Sequence, residues 1–350
     1  MTSLTQIAIS ARKAIRYTIF AIIFLIVGKF LLDSGIAIYL RIFPPPPPAP
    51  TVKFGNLTKI TFPTNGPKPN LTYTLETPEG GLPTNIPNQA KVYFMPKPSS
   101  TLLALDSAKA KAQALSFPND PVAESTSIYK FTNPAFPSVL EMNIISGTFS
   151  ISYDLSADRS PIATKPPAGE VAASEFRAAL SGANILPDDL TGPTTFNFYK
   201  LSSGTLANAL SLSDSDVVKI NLFRKNYDNL PSMTVNPNEA NVWAIMSGSQ
   251  TREQQIVAAE FHYYPVDESQ YSTYPIITPA EAFSELQGGQ AYIADMGLSK
   301  DGDSLKIRRV YLAYFDPESE SNFFQPIYVF EGDNGFTAYL QAVSPTYFSQ

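Results

Sequence analysis

The stretch TPAEAFSELQGG, residues 278–289, contains the clearest structural signal in the chain. Thr278 and Glu281 have the spacing of a capping box, in which each side chain accepts a hydrogen bond from the other residue's backbone N–H. Pro279 stands at the first helical position, where proline is tolerated, and the glycine pair at 288–289 favours a helix end. The pattern therefore predicts a short helix between these limits.

Strands are predicted after this helix, and the same order occurs twice earlier in the chain. The predicted C-terminal strands cover residues 291–294, 306–315, 327–330 and 336–342. The turn residues at 300–303 and 333–335 are typical of hairpins. Two further helices, predicted at 106–115 and 169–181, also precede runs of strands. Because the strands are not separated by regular helices, the expected fold class is α+β, with a few short helices packed on antiparallel sheets.

The sequence divides into consecutive regions of different composition. The predicted regions are a cytoplasmic tail (1–16), a transmembrane helix (17–43), a proline-rich linker (44–51) and three ectodomain parts (52–165, 166–273 and 274–350). The prolines of the linker favour a polyproline II spacer, which at about 3.1 Å per residue would hold the ectodomain roughly 20 Å from the membrane.

The N-terminal region has the composition of a membrane anchor. Twenty-four residues lie between Arg16 and Arg41. As a helix they would extend roughly 36 Å at about 1.5 Å per residue, enough to cross a hydrocarbon core of about 30 Å. Basic residues precede the span, so the positive-inside rule predicts a cytoplasmic N-terminus and an extracytoplasmic ectodomain at the cell membrane. A signal peptide is the alternative, but no small-residue cleavage site follows residues 19–27 before the prolines.

Lys29 and Asp33 interrupt this apolar span. Their i, i+4 spacing places both on one helical face, where they can pair. An ion near the bilayer centre carries an insertion cost of about 3 kcal/mol, so such residues face each other or protein. Two interpretations follow: a self-neutralised pair, and a contact with a partner helix in the membrane.

Aromatic residues cluster in the last third of the chain. In antiparallel strands they usually build the core and cross-strand ladders. An exposed subset would instead form a contact surface for a peptide or a glycan. The candidates for this surface are Tyr263, Tyr271, Tyr274, Tyr314, Phe323 and Phe324.

Composition and motifs exclude several classes of function. The chain has no Cys and one His, which excludes disulfide frameworks, zinc–thiolate sites and multi-histidine metal sites. A net charge of −6 argues against nucleic acid as a partner. Neither a phosphate-binding loop nor a dinucleotide fingerprint occurs, and we expect no cofactor. Glu260 and His262 share a face of a predicted strand, but no Gly-x-Ser-x-Gly motif supplies a nucleophile, so a polar pair on a sheet face is predicted.

The C-terminal region also resembles a known family. The segments YPIIT (274–278), RRVYLAYF (308–315) and QPIYVFEG (325–332) are similar to the extracytoplasmic fold of the single-pass YycH/YycI regulators of an envelope-stress histidine kinase, which is related to PepSY-like modules. Ala313 stands where that family favours Gly. The segment FGNL (54–57), after the proline run, resembles uncharacterised single-pass envelope proteins of small-genome bacteria. These resemblances imply a regulatory or binding ectodomain without catalysis.

Three classes of function follow from these observations. The first is a membrane-anchored extracytoplasmic protein that binds or regulates a membrane or envelope protein, another copy of itself included, and is not an enzyme. The alternative is a structural or adhesive component of the cell envelope that forms a surface assembly. A hydrolase acting on cell-wall polymer is the third. The lipid bilayer is an expected partner in each, and no catalytic, cofactor-binding or metal-binding residue is predicted.

Overall fold

A computed structural model describes residues 3–43, 48–63, 69–202 and 204–349. The chain separates into two compact units, Met1–Ala49 and Pro50–Gln350. Most of the predicted polyproline run, residues 44–47, lies outside the described residues, and residues 48–50 have no regular secondary structure.

The first unit is a single helix, α1 (Ser3–Ile42). Its segment Ala8–Leu40 is long and apolar enough to cross a membrane, as the sequence predicts for an anchor or a signal sequence. Large apolar side chains are exposed along it, with Phe24 at 77% exposure. The helix begins at Ser3, so most of the segment predicted as a cytoplasmic tail, residues 1–16, forms the first turns of α1.

The second unit contains short helices and many strands. Its α-helices in the described part of the chain are α2 (Ala104–Ala114), α3 (Gly169–Gly182), α4 (Arg252–Gln255) and α5 (Pro279–Gln287). Its strands are β1 (Thr72–Leu75), β2 (Gln89–Phe94), β3 (Val122–Ala123), β4 (Ile128–Thr132), β5 (Ser138–Asn143), β6 (Phe149–Tyr153), β7 (Thr194–Ser202), β8 (Thr205–Asn208), β9 (Val217–Leu222), β10 (Ser232–Met233), β11 (Val242–Met246), β12 (Ile256–Phe261), β13 (Asp267–Pro275), β14 (Tyr292–Asp295), β15 (Ser304–Phe315), β16 (Phe323–Phe324), β17 (Pro326–Gly332) and β18 (Thr337–Gln341).

The large sheet has the strand order β3-β4-β5-β6-β12-β11-β9-β7-β8. Each pair of neighbours in it is antiparallel. Helices α2 and α3 pack against the sheet through small and apolar side chains, among them Ala112, Phe176 and Leu180, which are fully buried. The small residues let the helices approach the strands closely. This arrangement confirms the predicted α+β class.

The C-terminal sheet has the order β1-β15-β17-β18-β14. Strands β1 and β10 both run parallel to β15, whereas the other pairs are antiparallel. Helix α5 packs on this sheet through Ala282 and Leu286. Its predicted capping box is present: Thr278 Oγ1 accepts from the Glu281 N–H at 3.2 Å, and Glu281 Oε2 accepts from the Thr278 N–H at 2.8 Å.

The small sheet, β13-β2-β16, takes one strand from each predicted ectodomain part. The large sheet likewise combines strands β3–β6 with β7–β9, β11 and β12 across residue 165, and β1 pairs with the C-terminal β15. The sheets therefore cross the predicted limits at 165/166 and 273/274, because their strands pair over long sequence separations within one compact unit.

Candidate functional site

The structure separates the six candidate surface aromatics. Tyr274, Tyr314 and Phe324 are fully buried and therefore do not belong to an exposed contact surface. Tyr314 on β15 stacks on Phe324 of β16 with ring centroids 5.1 Å apart, because the small sheet covers this part of the C-terminal sheet. Tyr263 and Phe323 are half-buried, and Tyr271 is 44% exposed. The aromatic residues thus form mainly core, with Tyr271 at its exposed edge.

A polar network centred on Asp228 adjoins these rings. Tyr93 Oη and Tyr314 Oη donate to Asp228 Oδ2 at 2.6 and 3.0 Å, and Lys91 Nζ donates to Oδ1 at 2.6 Å. Lys91 Nζ also lies 4.6 Å from the centroid of the Tyr271 ring. Burial opposes ionisation of Asp228, but these donors outweigh it and lower its pKa. The carboxylate is already occupied by three donors, which suits a rigid structural role better than proton transfer.

Arg224 forms the centre of a second, buried cluster. Its Nη1 donates to Asp189 Oδ2 at 2.7 Å and its Nε donates to Asp316 Oδ1 at 2.8 Å. Tyr227 Oη donates to Asp189 Oδ2 at 2.7 Å, and the Arg224 guanidinium lies 4.2 Å from the Tyr263 ring. Burial raises the pKa of Asp316 to about 6, although Arg224 opposes the shift. The cluster joins the residues that follow β9 to those that follow β15.

A cleft of about 510 Å³ opens beside this cluster. Carboxylates line it at Asp188, Asp189 and Glu268, against one cation, Lys111. Tyr263 is also part of the lining, and Asp189 Oδ1 is buried with no hydrogen-bond partner within 3.5 Å among the described residues. Arg224 pairs with Asp189 and Lys225 pairs with Glu268, so a cationic group entering the cleft would bind Asp188 directly and compete with Lys225 for Glu268.

Sequence reasoning missed the carboxylates of this cleft and identified only Tyr263. Asp189 and Arg224 are 35 residues apart, and Arg224 and Asp316 are 92 apart. No local spacing relates them, so only the tertiary fold brings them together.

The predicted pair of Glu260 and His262 is present. Glu260 Oε2 and His262 Nε2 are 2.8 Å apart on a partly exposed surface at the end of β12. The hydrogen bond to Glu260 raises the pKa of His262, against the effect of burial. Among the described residues, no group of three or more His, Cys, Asp or Glu side chains is arranged to hold a metal ion.

Lys29 and Asp33 lie one helical turn apart on α1, and both are exposed. In the described part of the chain no ion pair within 4 Å joins them, although their spacing permits one. Both interpretations of the pair, self-neutralisation and contact with a partner helix, remain predictions.

No family model and no curated protein matches the chain. Among solved structures, an uncharacterized protein from Eubacterium rectale ATCC 33656 is 11% identical, with a TM-score of 0.35 over 72% of this chain and 82% of its own. The C-terminal domain of Bacillus megaterium YpeB is also 11% identical, with a TM-score of 0.33 over 71% of this chain and 95% of its own. Neither similarity supports a functional conclusion at these TM-scores.

Proposed function

We propose that the protein is a membrane-anchored extracytoplasmic binding protein that acts on a membrane or envelope partner and is not an enzyme. Helix α1 would anchor it with the N-terminus in the cytoplasm, and the folded unit would recognise the partner outside. The observation that carries the proposal is the acidic, aromatic-lined cleft beside the Arg224 cluster, which offers a preformed surface on a rigid support.

The chemistry of the cleft favours a lysine or arginine side chain of the partner. The carboxylates of Asp188 and Glu268 are exposed. Asp188 can pair with such a group, and Glu268 can do so by exchanging its present partner, Lys225, which lies 2.6 Å away. Tyr263 supplies an aromatic wall, and cations bind aromatic faces favourably. Because exposed charge pairs mainly affect association rate and specificity, we expect binding to weaken at high salt.

Partner recovery with the full-length protein in mild detergent tests this proposal. Glu268→Gln should lower recovery several-fold. Asp120→Asn is a matched control, because both acids pair with a lysine at the surface: Lys225–Glu268 at 2.6 Å and Lys109–Asp120 at 2.8 Å. Asp120 is not part of the cleft lining, so its replacement should leave recovery unchanged. Equal recovery for both variants would contradict a role of the cleft.

An edge of the large sheet favours the alternative function, a surface assembly. Strand β8 lies at the end of the strand order, and all four of its residues are exposed. Leu206 is the large apolar residue of this strand, and Leu210, shortly after it, is 100% exposed. Unprotected apolar edges promote strand pairing between chains, and a lysine at the edge opposes it. If assembly is the function, Leu206→Lys should convert oligomers to monomers in light scattering; a monomeric wild-type protein would exclude it.

A further inference from the structure

Strand β15 has a gap along one edge. On that edge it pairs with β1 through residues 304–307 and with β10 through residues 314–315. The opposite edge is paired with β17 as far as Tyr314. On the β1 and β10 edge, between these two parallel partners, residues 308–313 have no neighbouring strand in the described part of the chain.

The backbone of Val310 and Leu312 faces this gap. The Tyr314 N–H donates to the Pro231 carbonyl at 2.8 Å on the gap side, whereas the Phe315 N–H donates to the Gln325 carbonyl at 3.0 Å on the β17 side. Because successive strand residues alternate in direction, the N–H and C=O groups of Val310 and Leu312 point the same way as those of Tyr314. The N–H and C=O groups of Val310 and Leu312 form no hydrogen bond with a described residue across the gap.

The chain leaves the gap open at both ends for local reasons. At the β1 end, the last hydrogen bond to β15 is donated by the Glu76 N–H to the Ile307 carbonyl at 2.9 Å. The segment after β1 then enters a turn that begins at Thr77. At the other end Pro231 stands where a donor to the Leu312 carbonyl is required, and proline has no N–H.

The result is a groove of about 500 Å³ with a sheet edge as its floor. Val310 and Leu312, 8% and 4% exposed, form that floor, and Ile86 and Leu230 stand on the same apolar face. Tyr311 lies on the other face, where the Arg309 guanidinium is 5.0 Å from its ring. A buried backbone N–H or C=O without a partner is unfavourable, so the groove favours a ligand that supplies both donors and acceptors along a line.

We propose that this groove binds an extended segment of a partner protein by strand addition, parallel to β15 and between β1 and β10. Three residues fill it. The carbonyl of the first accepts from the Val310 N–H, and the third donates to the Val310 carbonyl and accepts from the Leu312 N–H.

The sheet also determines which side chains the segment carries. Two residues paired across neighbouring strands point their side chains to the same face of the sheet, and successive residues of one strand alternate between the two faces. The middle residue therefore points toward Ile86 and Leu230 and is apolar. The first and third point toward Arg309 and Tyr311 and are polar. Arg309 is already paired with Glu331 at 2.9 Å and offers no free charge, so the first and third residues of the segment are uncharged polar residues.

The test uses the full-length protein in detergent micelles and blocked pentapeptides with a Gly at each end. The first and third central residues are Ser, Thr, Asn or Gln, and the middle one is Val, Ile, Leu or Phe. At least one peptide should bind and slow amide hydrogen exchange at Val310 and Leu312 tenfold or more. The Tyr314 amide, already bonded to Pro231, should be unaffected.

Three further comparisons make the result specific. N-methylation of the third central residue removes the donor to the Val310 carbonyl and should weaken binding at least tenfold. Ile86→Asp should do the same, whereas Asn85→Ala, also in the lining, should not. Glu268→Gln should leave peptide binding intact, which separates this groove from the acidic cleft.

Two outcomes would overturn the proposal. In the first, no peptide in the set changes the hydrogen exchange rate of the Val310 and Leu312 amides. This measurement needs only the wild-type protein. The other is protection of these amides that rises with protein concentration without peptide, which would identify a second copy of the chain as the occupant.

Discussion

The carboxyl group of Asp316 makes the stability of the folded protein depend on pH. Burial raises its pKa from 3.8 to about 6. The folded protein therefore holds this proton more tightly than the unfolded chain does, and stability contributed by this group falls as pH rises from 3.8 to about 6. A shift of this size corresponds to about 3 kcal/mol in unfolding free energy.

The variant Asp316→Asn isolates this effect from carboxylates whose pKa is lowered, such as Asp228. We expect denaturant unfolding to show that the wild type loses about 3 kcal/mol relative to the variant between pH 3.8 and pH 7. The measured quantity is the difference in unfolding free energy between the wild type and the variant at each pH. A difference that does not change with pH would show that Arg224 fully offsets the effect of burial on the pKa of Asp316.

His262 provides a test of the enzymatic alternative. Its contact with Glu260 lies on a partly exposed surface, where ion pairs contribute about 0–1 kcal/mol. We expect His262→Ala to lower the unfolding free energy by less than about 1 kcal/mol and to leave partner recovery unchanged. Loss of function in a normally folded His262→Ala protein, with Glu260→Gln behaving alike, would instead support a catalytic pair.

Among the secondary structure elements, those with local signals could be predicted and those that depend on distant pairing could not. Helix α5 begins and ends within two residues of its prediction because the capping box and the glycines are contiguous in sequence. Strand β13, in contrast, is largely polar and gives no alternating pattern; it forms because β2, far away in sequence, pairs with it.

Strands β5 and β6 form a hairpin whose turn has a local cause. The Asn143 side chain accepts from the N–H groups of Ile145 and Ser146, and Gly147 adopts a φ of +77°. The side-chain bonds stabilise a tight turn that favours reversal over a bend.

Helix α5 offers a measurement of how much one cap contributes. Thr278→Ala removes the acceptor for the Glu281 N–H and should lower the unfolding free energy by about 1 kcal/mol. Ser284→Ala, at an exposed position inside the same helix, is the control and should have little effect or stabilise slightly, because Ala has the higher helix propensity. Equal effects of the two changes would show that the capping box is not formed in solution.

For the whole molecule, the first question is orientation across the membrane. If α1 is a retained anchor with a cytoplasmic N-terminus, protease added to intact cells should digest the folded unit, residues 50–350, after α1. An N-terminal tag should remain protected until the cells are lysed. Protection of the folded unit in intact cells would contradict this topology, and release of the folded unit without protease would identify α1 as a cleaved signal sequence.

The second question is whether α1 does more than anchor. Lys29 and Asp33 are both exposed on α1, and each carries an insertion cost in a bilayer unless the other or a partner helix compensates it. If they face such a helix, Asp33→Leu should reduce partner recovery at matched membrane levels, because Lys29 loses its counterion. Replacing both by Leu should restore insertion without restoring recovery.

The double variant distinguishes the two interpretations of the pair. A pair that only neutralises itself in lipid predicts unchanged or improved anchoring and full partner recovery when both residues are Leu, since apolar residues suit the bilayer better. A pair that contacts a partner helix predicts good anchoring and poor recovery. Full recovery in the single and the double variant would reduce α1 to an anchor and assign partner recognition to residues 50–350 alone.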